Sequence, residues 1–386
     1  MNGSVVIAAS LAQKPLQGGH AWVLLQYLLG FRRLGWEVLF LDLLTADMCI
    51  DAAGRPCPPE RSVNLEAFRI ILDHFGFQDD YCLMDSQGES SIGLSRQQVL
   101  ERAGAATLLL NVMGFLSDDE IIDRAPRHVF LDIDPGFGQM WESLGLTQIY
   151  SGFDDYVTIG ENIGGAGCKI PTCGKTWITT PQPLVLDYWP ARVDQGSHGI
   201  TSIISWRGAY GPVTHGGRTY GLRAHEFRRF FPLPERTGQK FQLALSIHPD
   251  EAADIEQLQK HNWQIADPLE AAGDPWTYQS YIRNSAAEFM VAKNMYVDTR
   301  SGWFSDRSIC YLASGKPVLA QDTGLESIYP AGRGLLLFSS LDEAIAGIGE
   351  IVGNYSRHAG AAREIAEAYF DSDRVLGRLL EKLGIG

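Results

Sequence analysis

The sequence lacks a long apolar stretch and an export signal. No run approaches the ~20 apolar residues that a transmembrane helix requires. Residues 1–10 hold only a short apolar run with no basic segment before it. The six cysteines are scattered and do not form the two close pairs typical of a zinc site. We therefore expect a cytoplasmic protein with reduced thiols, no transmembrane segment and no bound metal.

Basic residues are scarce. The chain has 32 lysines and arginines against 46 aspartates and glutamates, and its formal net charge is −14. Such a balance argues against nucleic acid or an anionic membrane as the main partner, because both attract positive surfaces. The expected partners are small molecules, and any site for an anion must gather its positive charge locally.

The dinucleotide fingerprint G-x-G-x-x-G is also missing from the opening of the chain, although the surrounding pattern is Rossmann-like. Residues 4–9 form an apolar run typical of a strand buried on both faces. A loop with Gly18 and Gly19 follows, then an apolar-periodic helix over residues 21–34 and a second strand over residues 37–42. A strand, glycine loop, helix and strand in this order favour a parallel sheet.

The length of 386 residues predicts two domains. Alternating strands and helices indicate an α/β fold, and the proline-rich stretch 171–190 interrupts them with little periodicity. We predict an N-terminal Rossmann-like domain over residues 1–190 with its linker at 171–190, a second over 191–370, and a C-terminal helix over 371–386.

The stretch from Tyr296 to Gly324 has the strongest pattern in the chain. Residues 296–298 predict the end of a strand, and a helix is predicted over residues 307–314, capped by Ser305 or Asp306. Residues 318–320 predict the next buried strand. A loop that leads into a helix beside strand ends places free backbone N–H groups where a phosphate is held well.

Three side chains would strengthen such a phosphate site. Arg307 supplies a fixed cation, and the hydroxyl groups of Ser305 and Ser308 supply hydrogen-bond donors. The alternative is an ordinary strand–helix–strand unit, in which the serines only cap the helix and Arg307 pairs with Asp306 or Asp322.

This stretch resembles the donor-binding region of the GT-B glycosyltransferases of group 1 type. The family writes its loop, helix and strand as E-x-F-G…E-A-x-A-x-G-x-P-V…G. The matching segments here are Gly302-Trp303-Phe304, Cys310-Tyr311-Leu312-Ala313-Ser314-Gly315-Lys316-Pro317-Val318 and Thr323-Gly324. The two glutamates of the family's E-x7-E pair would fall on Gly302 and Cys310, and neither is acidic. An arginine within the helix resembles more closely the spore-maturation-related branch.

The resemblance implies two Rossmann-like domains facing across a cleft, with the last helix returning to the first domain. It implies a metal-independent glycosyltransferase without a cofactor, which moves a sugar from a UDP-, dTDP- or GDP-sugar to a hydroxyl or amine of a natural product or glycan. The donor-binding residues implied are Ser205, Arg207, Glu288, Ser301, Gly302, Trp303, Ser305, Asp306, Ser308, Asp322, Thr323 and Gly324. The acceptor side would hold Gly18, Gly19 and Asp132.

The implied chemistry rests on a few residues. Arg307, together with Arg207, would hold the departing diphosphate. The alternative for Arg207 is a surface residue paired with a nearby acid. His20 or Asp134 would take the proton from the acceptor. The pair Asp132 and Asp134 also matches the metal-binding D-x-D of GT-A glycosyltransferases.

Two further functions remain open at this point. A nucleotide-sugar 2-epimerase has the same two-domain fold and needs no separate acceptor. A non-catalytic binding or partner protein of this fold would explain why both positions of the E-x7-E pair lack a carboxylate.

Overall fold

The computed structural model describes residues 3–85, 91–208, 210–221 and 223–385. Within these ranges the strands are β1 (Ser4–Ala8), β2 (Glu37–Leu43), β3 (Tyr81–Met84), β4 (Ser91–Gly93), β5 (Leu108–Val112), β6 (His128–Asp132), β7 (Asp155–Thr158), β8 (Trp177–Thr179), β9 (Ile200–Ser205), β10 (Val213–His215), β11 (Arg218–Tyr220), β12 (Phe241–Ser246), β13 (Trp263–Ala266), β14 (Ala287–Met290), β15 (Val318–Gln321) and β16 (Leu335–Phe338).

The α-helices of the same ranges are α1 (Gly18–Arg33), α2 (Val63–His74), α3 (Arg96–Ala105), α4 (Asp119–Arg124), α5 (Phe137–Ser143), α6 (Arg223–Phe227), α7 (Leu233–Thr237), α8 (Ala252–Lys260), α9 (Pro268–Ala272), α10 (Pro275–Arg283), α11 (Asn294–Thr299), α12 (Asp306–Ala313), α13 (Leu341–Gly353), α14 (Tyr355–Ile365) and α15 (Ser372–Lys382). No helix in the described part of the chain combines the length and apolarity needed to cross a bilayer.

The first half of the chain builds an eight-stranded sheet in the order β4-β3-β2-β1-β5-β6-β7-β8. All of its pairs are parallel except β3 with β4, which are antiparallel. The central strands β5 and β6 are buried along their whole length. This burial explains their continuous apolar sequences, since helices cover both faces of a parallel sheet.

The second half builds a six-stranded parallel sheet in the order β13-β12-β9-β14-β15-β16. A short antiparallel hairpin of β10 and β11 is inserted between β9 and α6. Each half therefore places the carboxyl ends of its parallel strands at one edge of its own sheet, where open α/β sheets bind ligands.

The two halves contact each other through helices of both. The indole nitrogen of Trp22 in α1 donates to the carbonyl oxygen of Pro275 at the start of α10, at 2.8 Å. Near the end of the chain, α15 packs against α1, and the Lys382 ammonium donates to the carbonyl oxygen of Thr179 in β8 at 2.6 Å. Through these contacts, the last helix of the chain packs on the first half.

Most of the predicted strands and helices are confirmed, including the helix after Ser305 and the strand at 318–320. One prediction is wrong. Residues 296–298 belong to helix α11, which ends where Arg300 takes a left-handed conformation at φ 51°. The predicted linker at 171–190 contains β8, the edge strand of the first sheet.

Candidate functional site

Two connected cavities lie between the halves. The larger has a volume of about 770 Å³ and the smaller about 530 Å³. Residues at or just beyond the ends of β9 and β12 line the larger cavity, and residues just beyond β1, β5 and β6 line the smaller. The side chains that line both are Gln13, Lys14, His20, Arg223 and Asp306. Both sheets therefore point their ligand-binding edges into one cleft.

Helix α12 begins at the wall of the larger cavity. The Ser305 hydroxyl accepts a hydrogen bond from the Arg307 amide at 3.3 Å and caps the helix. Asp306 and Arg307, the first two helical residues, line the cavity. The start of this helix therefore lies at the cleft wall. Ser308 lies deeper, where its side chain is fully buried and interacts with Glu288.

Arg307 is held by a buried carboxylate. Its Nε donates to Oε1 of Glu288, whose side chain is fully buried in β14, and its Nη1 donates to the carbonyl oxygen of Ile203 at 2.8 Å. Burial raises the pKa of Glu288, while Arg307 and Ser308 oppose that shift. The resemblance implies Glu288 as a donor-binding residue, but in the structure its buried carboxylate orients Arg307 instead.

Arg223 is the cleft cation that the sequence analysis missed. It opens helix α6 and lines both cavities. Its Nη1 donates to the Ser205 carbonyl oxygen at 3.4 Å, and its buried Nε has no hydrogen-bond partner among the described residues. Burial, with Arg307 nearby, lowers the pKa of Arg223 to about 10. A buried guanidinium N–H without a hydrogen-bond acceptor costs free energy, unless a bound anion accepts a hydrogen bond from it.

Lys14 supplies a second cation without an ion pair in the part of the chain that the structure describes. Burial lowers the pKa of the Lys14 ammonium, which Asp134 and Asp42 partly oppose. The loop carrying Lys14 is anchored by Asp42 at the end of β2. Oδ2 of Asp42 accepts the amides of Leu11 and Ala12 at 2.7 and 2.6 Å. Asp42 therefore positions Lys14 without reaching the cleft itself.

His20 lies in the first turn of α1 and lines both cavities. Its Nε2 donates to the carbonyl oxygen of Ser10 at 2.7 Å, which leaves the Nδ1 lone pair as the accepting position. Burial, with Lys14 nearby, lowers the pKa of His20 to about 4. The imidazole is therefore neutral at physiological pH, as a proton acceptor must be.

Asp134 joins the two halves across the smaller cavity. Both of its carboxylate oxygens lie 3.0 Å from the ammonium of Lys293, and the hydroxyl of Tyr296 donates to Oδ1. Burial lowers the pKa of Lys293, which Asp134 opposes. Asp134 lies in the cleft as predicted, but its charge is already balanced by a residue of the second half.

Asp132 does not reach the cleft. Its buried Oδ2 accepts the Gln139 amide at 2.6 Å and the Thr158 hydroxyl at 2.9 Å. The side chain faces into the first half, so Asp132 and Asp134 do not converge as a D-x-D pair would. Nowhere in the described ranges do three or more His, Cys, Asp or Glu side chains gather as a metal ligand set.

Arg207 is the clearest correction at the site. Its side chain is 69% exposed and its Nε donates to Glu251, so it is the surface arginine of the alternative interpretation. The neighbouring Ser205 lines the larger cavity as predicted. The chain turns outward at Trp206, whose buried indole donates to Asp254 at 2.8 Å and so leaves Arg207 in solvent.

The predicted donor loop at 322–324 also lies outside the cleft. Asp322 caps its own turn by accepting the amides of Gly324 and Leu325, both at 2.9 Å. The Thr323 hydroxyl donates to the carbonyl oxygen of Trp303 at 2.6 Å. A Cβ on Gly324 would lie 2.6 Å from Nδ2 of Asn162, a residue of the first half. This loop therefore forms a joint between the halves.

Ser301 and Gly302 belong to the same joint. The carbonyl oxygen of Ser301 accepts the Asn162 amide at 3.0 Å, and a Cβ on Gly302 would lie 2.7 Å from that amide nitrogen. Trp303 does reach the cleft, but it stacks on Tyr296 in the wall of the smaller cavity, with ring centroids 4.2 Å apart. The resemblance implies Trp303 as a donor-binding residue, but it lines the smaller cavity and not the larger one.

Gly18 and Gly19 have different surroundings. A Cβ on Gly18 would lie 2.0 Å from the carbonyl oxygen of Asp274, so this glycine allows α1 to touch the second half. Gly19 lines the larger cavity and lies against the ring of Tyr278. The glycine pair therefore serves close approach of the halves, and only Gly19 faces the cleft.

A scan against protein-family models and a search of curated protein sequences found no match. Solved structures are similar over nearly the whole chain. An alpha-glucosyltransferase in complex with UDP is 12% identical, covers 99% of this chain and 100% of its own, and has a TM-score of 0.60. Another similar structure is an alpha-glucosyltransferase in complex with UDP and a 13-mer DNA.

Two more structures are similar to the same extent. Sucrose-phosphate synthase from Thermosynechococcus elongatus is 12% identical with a TM-score of 0.53, and Anabaena Alr3699/HepE in complex with UDP and glucose is 12% identical with a TM-score of 0.54. Each covers 99% of this chain and 99% of its own. The chain has the α/β fold that its sequence predicts, in the GT-B arrangement of two Rossmann-like sheets.

Proposed function

We propose that this protein is a glycosyltransferase that moves a sugar from a nucleoside-diphosphate sugar to an acceptor hydroxyl or amine. The observation that carries the proposal is Arg223, whose buried Nε has no partner in the described residues where both sheets end. Lys14 and Arg307 face the same space. In a chain with a formal net charge of −14, this local group of cations favours an anionic ligand.

The donor would occupy the larger cavity. Its diphosphate would lie at the start of α12, between Arg223 and Lys14, where free helix N–H groups add to the positive potential. Apolar side chains farther along the cavity, Pro268 and Leu269, suit the face of a nucleoside base. The UDP in the similar structures supports uridine as the first nucleotide to test.

The reaction would break the bond between the anomeric carbon and the β-phosphate oxygen. The electron pair of that bond leaves on the phosphate, and the cations stabilise the developing charge without requiring a metal. The acceptor oxygen or nitrogen forms the new bond to the anomeric carbon. Its proton passes to Nδ1 of His20.

His20 is favoured over Asp134 as the proton acceptor. Asp134 is already ion-paired with Lys293 and hydrogen-bonded to Tyr296. The His20 pKa of about 4 is low for a base, but part of that shift comes from Lys14. A bound diphosphate would offset the Lys14 charge and so raise the pKa of His20. The donor would thereby prepare the base for the reaction.

A binding screen tests this proposal directly. UDP, dTDP, GDP and their sugars, each added with EDTA, are expected to raise the melting temperature if they bind the folded cleft. Turnover of the best donor is then followed without acceptor. Free sugar released by slow hydrolysis supports a transferase, and a C2-inverted nucleotide sugar would favour the 2-epimerase. Binding without any turnover on a broad acceptor panel would favour the non-catalytic alternative.

Two narrower statements are also proposals: that the reaction needs no metal, and that the protein belongs to the spore-maturation-related branch. Independence from metal follows from the cations that would take its place, and complete loss of turnover in EDTA would contradict it. Membership of the spore-maturation-related branch rests on Arg307 alone, and in this fold that residue is oriented by Glu288.

A further inference from the structure

One part of the smaller cavity is an apolar patch made by both halves. The apolar side chains of this patch include Val23, Leu24, Val112, Met113, Phe115, Ile133, Tyr210 and Trp303. Five of them are partly exposed and therefore present carbon surface to the cavity instead of being packed in the core: Val23, Met113, Phe115, Ile133 and Tyr210. Such surface gains free energy when an apolar ligand covers it.

Tyr210 closes the cavity from the second half. Its ring lies 5.1 Å from that of Phe137 and 5.2 Å from that of Trp141, both in helix α5 of the first half. The hairpin that follows Tyr210 packs on the same helix, where the Ser143 hydroxyl and Nε2 of His215 are 3.2 Å apart. This insert therefore walls the cavity with an aromatic cluster that spans both halves.

Lys14, Arg223 and Asp306 line both cavities, and the donor diphosphate would cover the two cations where the cavities meet. The other charged and polar groups of the smaller cavity are mostly engaged. Asp134 is bound by Lys293 and Tyr296, and Nε2 of His20 is bound by the Ser10 carbonyl oxygen. The amide of Gln13 donates to the carbonyl oxygen of Leu43 at 2.9 Å. A saccharide would bury many hydroxyl groups against few available partners, which is costly. A ligand with a single hydroxyl group, in contrast, can donate its one hydrogen bond to Nδ1 of His20.

Met113 adds adaptability to this wall. It follows β5 in a left-handed conformation at φ 57°, and its sulfur accepts the amide of Ile133 at 3.2 Å. A non-glycine residue held in this region of backbone space is strained, and such strain is common at ligand sites. A methionine at such a position suits apolar rings of varied shape, because its thioether is flexible and polarisable.

We propose that the smaller cavity binds an apolar, ring-bearing small-molecule alcohol or phenol as the acceptor. This inference rests on the proposed transferase function and names the substrate class of its acceptor side. The volume of about 530 Å³ lies within the range of small-molecule pockets, about 300–1,000 Å³. The walls from both halves favour such a compound over a polymer that must pass through the cleft.

Binding of 2-naphthol tests the inference separately from turnover. Calorimetry with saturating UDP is expected to show 2-naphthol binding at least about tenfold more tightly than methyl β-glucopyranoside, since only the former covers the apolar patch. Stronger binding of the saccharide, or of a 13-mer duplex DNA, would overturn the inference. If UDP itself does not bind, the proposed function fails, and 2-naphthol titrated without nucleotide still decides the chemistry of the cavity.

A matched pair of variants locates the binding. Phe115→Asn removes a partly exposed ring from the cavity wall and is expected to weaken 2-naphthol about tenfold while UDP affinity stays unchanged. Leu146→Asn changes a side chain that is 70% exposed outside the cavity and is the control. Equal 2-naphthol affinity in both variants and in the unmodified protein would overturn the assignment. A circular-dichroism melt verifies that both are folded, and Tyr210→Leu gives a second test at the opposite wall.

Discussion

The two cavities differ in how their charges are matched. In the larger cavity, Arg223 and Lys14 have no carboxylate bound to them among the described residues. In the smaller cavity, Lys293 is ion-paired to Asp134, and an apolar patch from both halves forms another part of the wall. Because Arg223, Lys14 and Asp306 also line the smaller cavity, the two unpaired cations lie where the cavities meet, and the balanced pair belongs to the smaller cavity.

This difference distinguishes a site for an ionic ligand from a site for a neutral one. Unpaired cations in a partly buried cleft remain unfavourable until an anion arrives. A balanced ion pair instead fixes geometry and adds no net charge of its own. We therefore assign the nucleoside diphosphate to the larger cavity and the acceptor to the smaller, and four substitutions test that division.

The largest effect is expected from Arg223→Ala. Loss of the unmatched guanidinium should weaken UDP binding about 30-fold, as removal of a charge-assisted hydrogen bond costs about 2 kcal/mol. The loss in kcat/KM should be larger, about 1,000-fold, because the charge on the leaving group grows in the transition state. Calorimetry and initial rates measure the two.

Arg207→Ala is the matched control, since this arginine is 69% exposed and paired with Glu251. It should change UDP affinity by less than about twofold, because exposed ion pairs contribute little. If Arg207→Ala weakens UDP as much as Arg223→Ala, the assignment of the larger cavity is wrong.

His20→Gln should have the next largest effect on activity. Removal of a general base lowers kcat about 100-fold or more, while UDP affinity should hardly change, because a neutral imidazole contributes no charge to the donor site. Comparable losses in kcat and in UDP affinity would indicate that His20 binds the donor instead.

The same substitution changes stability with pH. The His20 pKa falls from 6.5 to about 4 on folding, so between these values the unfolded chain binds more protons. The stabilisation is complete above pH 6.5 and is lost as pH falls toward 4. At pH 5 the unfolding free energy of the unmodified protein should be about 2 kcal/mol lower than at pH 7, because His20 must be protonated in the unfolded chain. His20→Gln should not show this loss. Urea unfolding of both proteins at pH 7 and pH 5 measures this difference.

Lys293→Met tests the balanced pair of the smaller cavity. It leaves the Asp134 carboxylate in a mostly buried position without its cation, at a cost of about 3 kcal/mol in unfolding free energy. The double variant Lys293→Met with Asp134→Asn should recover most of that stability. UDP affinity should stay close to that of the unmodified protein in both variants. A large loss of UDP affinity would mean that Lys293 serves the donor.

The smallest effect is expected at the joint. Gly324→Ala places a Cβ 2.6 Å from Asn162 Nδ2 in a backbone at φ 95°. Gly332→Ala is matched, with φ 103° and no atom within 4 Å of the new Cβ. The Gly324 variant should be less stable than the Gly332 variant by about 1 kcal/mol, a typical cost of overpacking, and UDP affinity should be equal. A selective loss of UDP affinity in Gly324→Ala would return this loop to the donor site.

The sequence was sufficient for the fold and for one corner of the site. Buried parallel strands read as apolar runs, and the pattern at Ser305 and Asp306 placed the start of α12 correctly. The β-type residues Tyr296 and Val297 misled the strand prediction, because burial of one helical face outweighs their local preference.

The charged residues were harder to place. Arg207 follows β9 directly and was chosen for that reason, whereas Arg223 returns to the cleft only after the inserted hairpin. No local pattern indicates that return. Gly302 and Gly324 matched a ligand-binding motif, but they lie against Asn162, which is more than a hundred residues away in the chain. Long-range packing of this kind is not visible in a single sequence.

The most direct measurement is a crystal structure of the protein with UDP, grown in EDTA. We predict that the β-phosphate lies within hydrogen-bond distance of Arg223 Nε, beside the first residues of α12, while the smaller cavity contains no part of the nucleotide. A diphosphate bound at Arg207 or along the 322–324 loop, with Arg223 Nε still unmatched, would contradict the account.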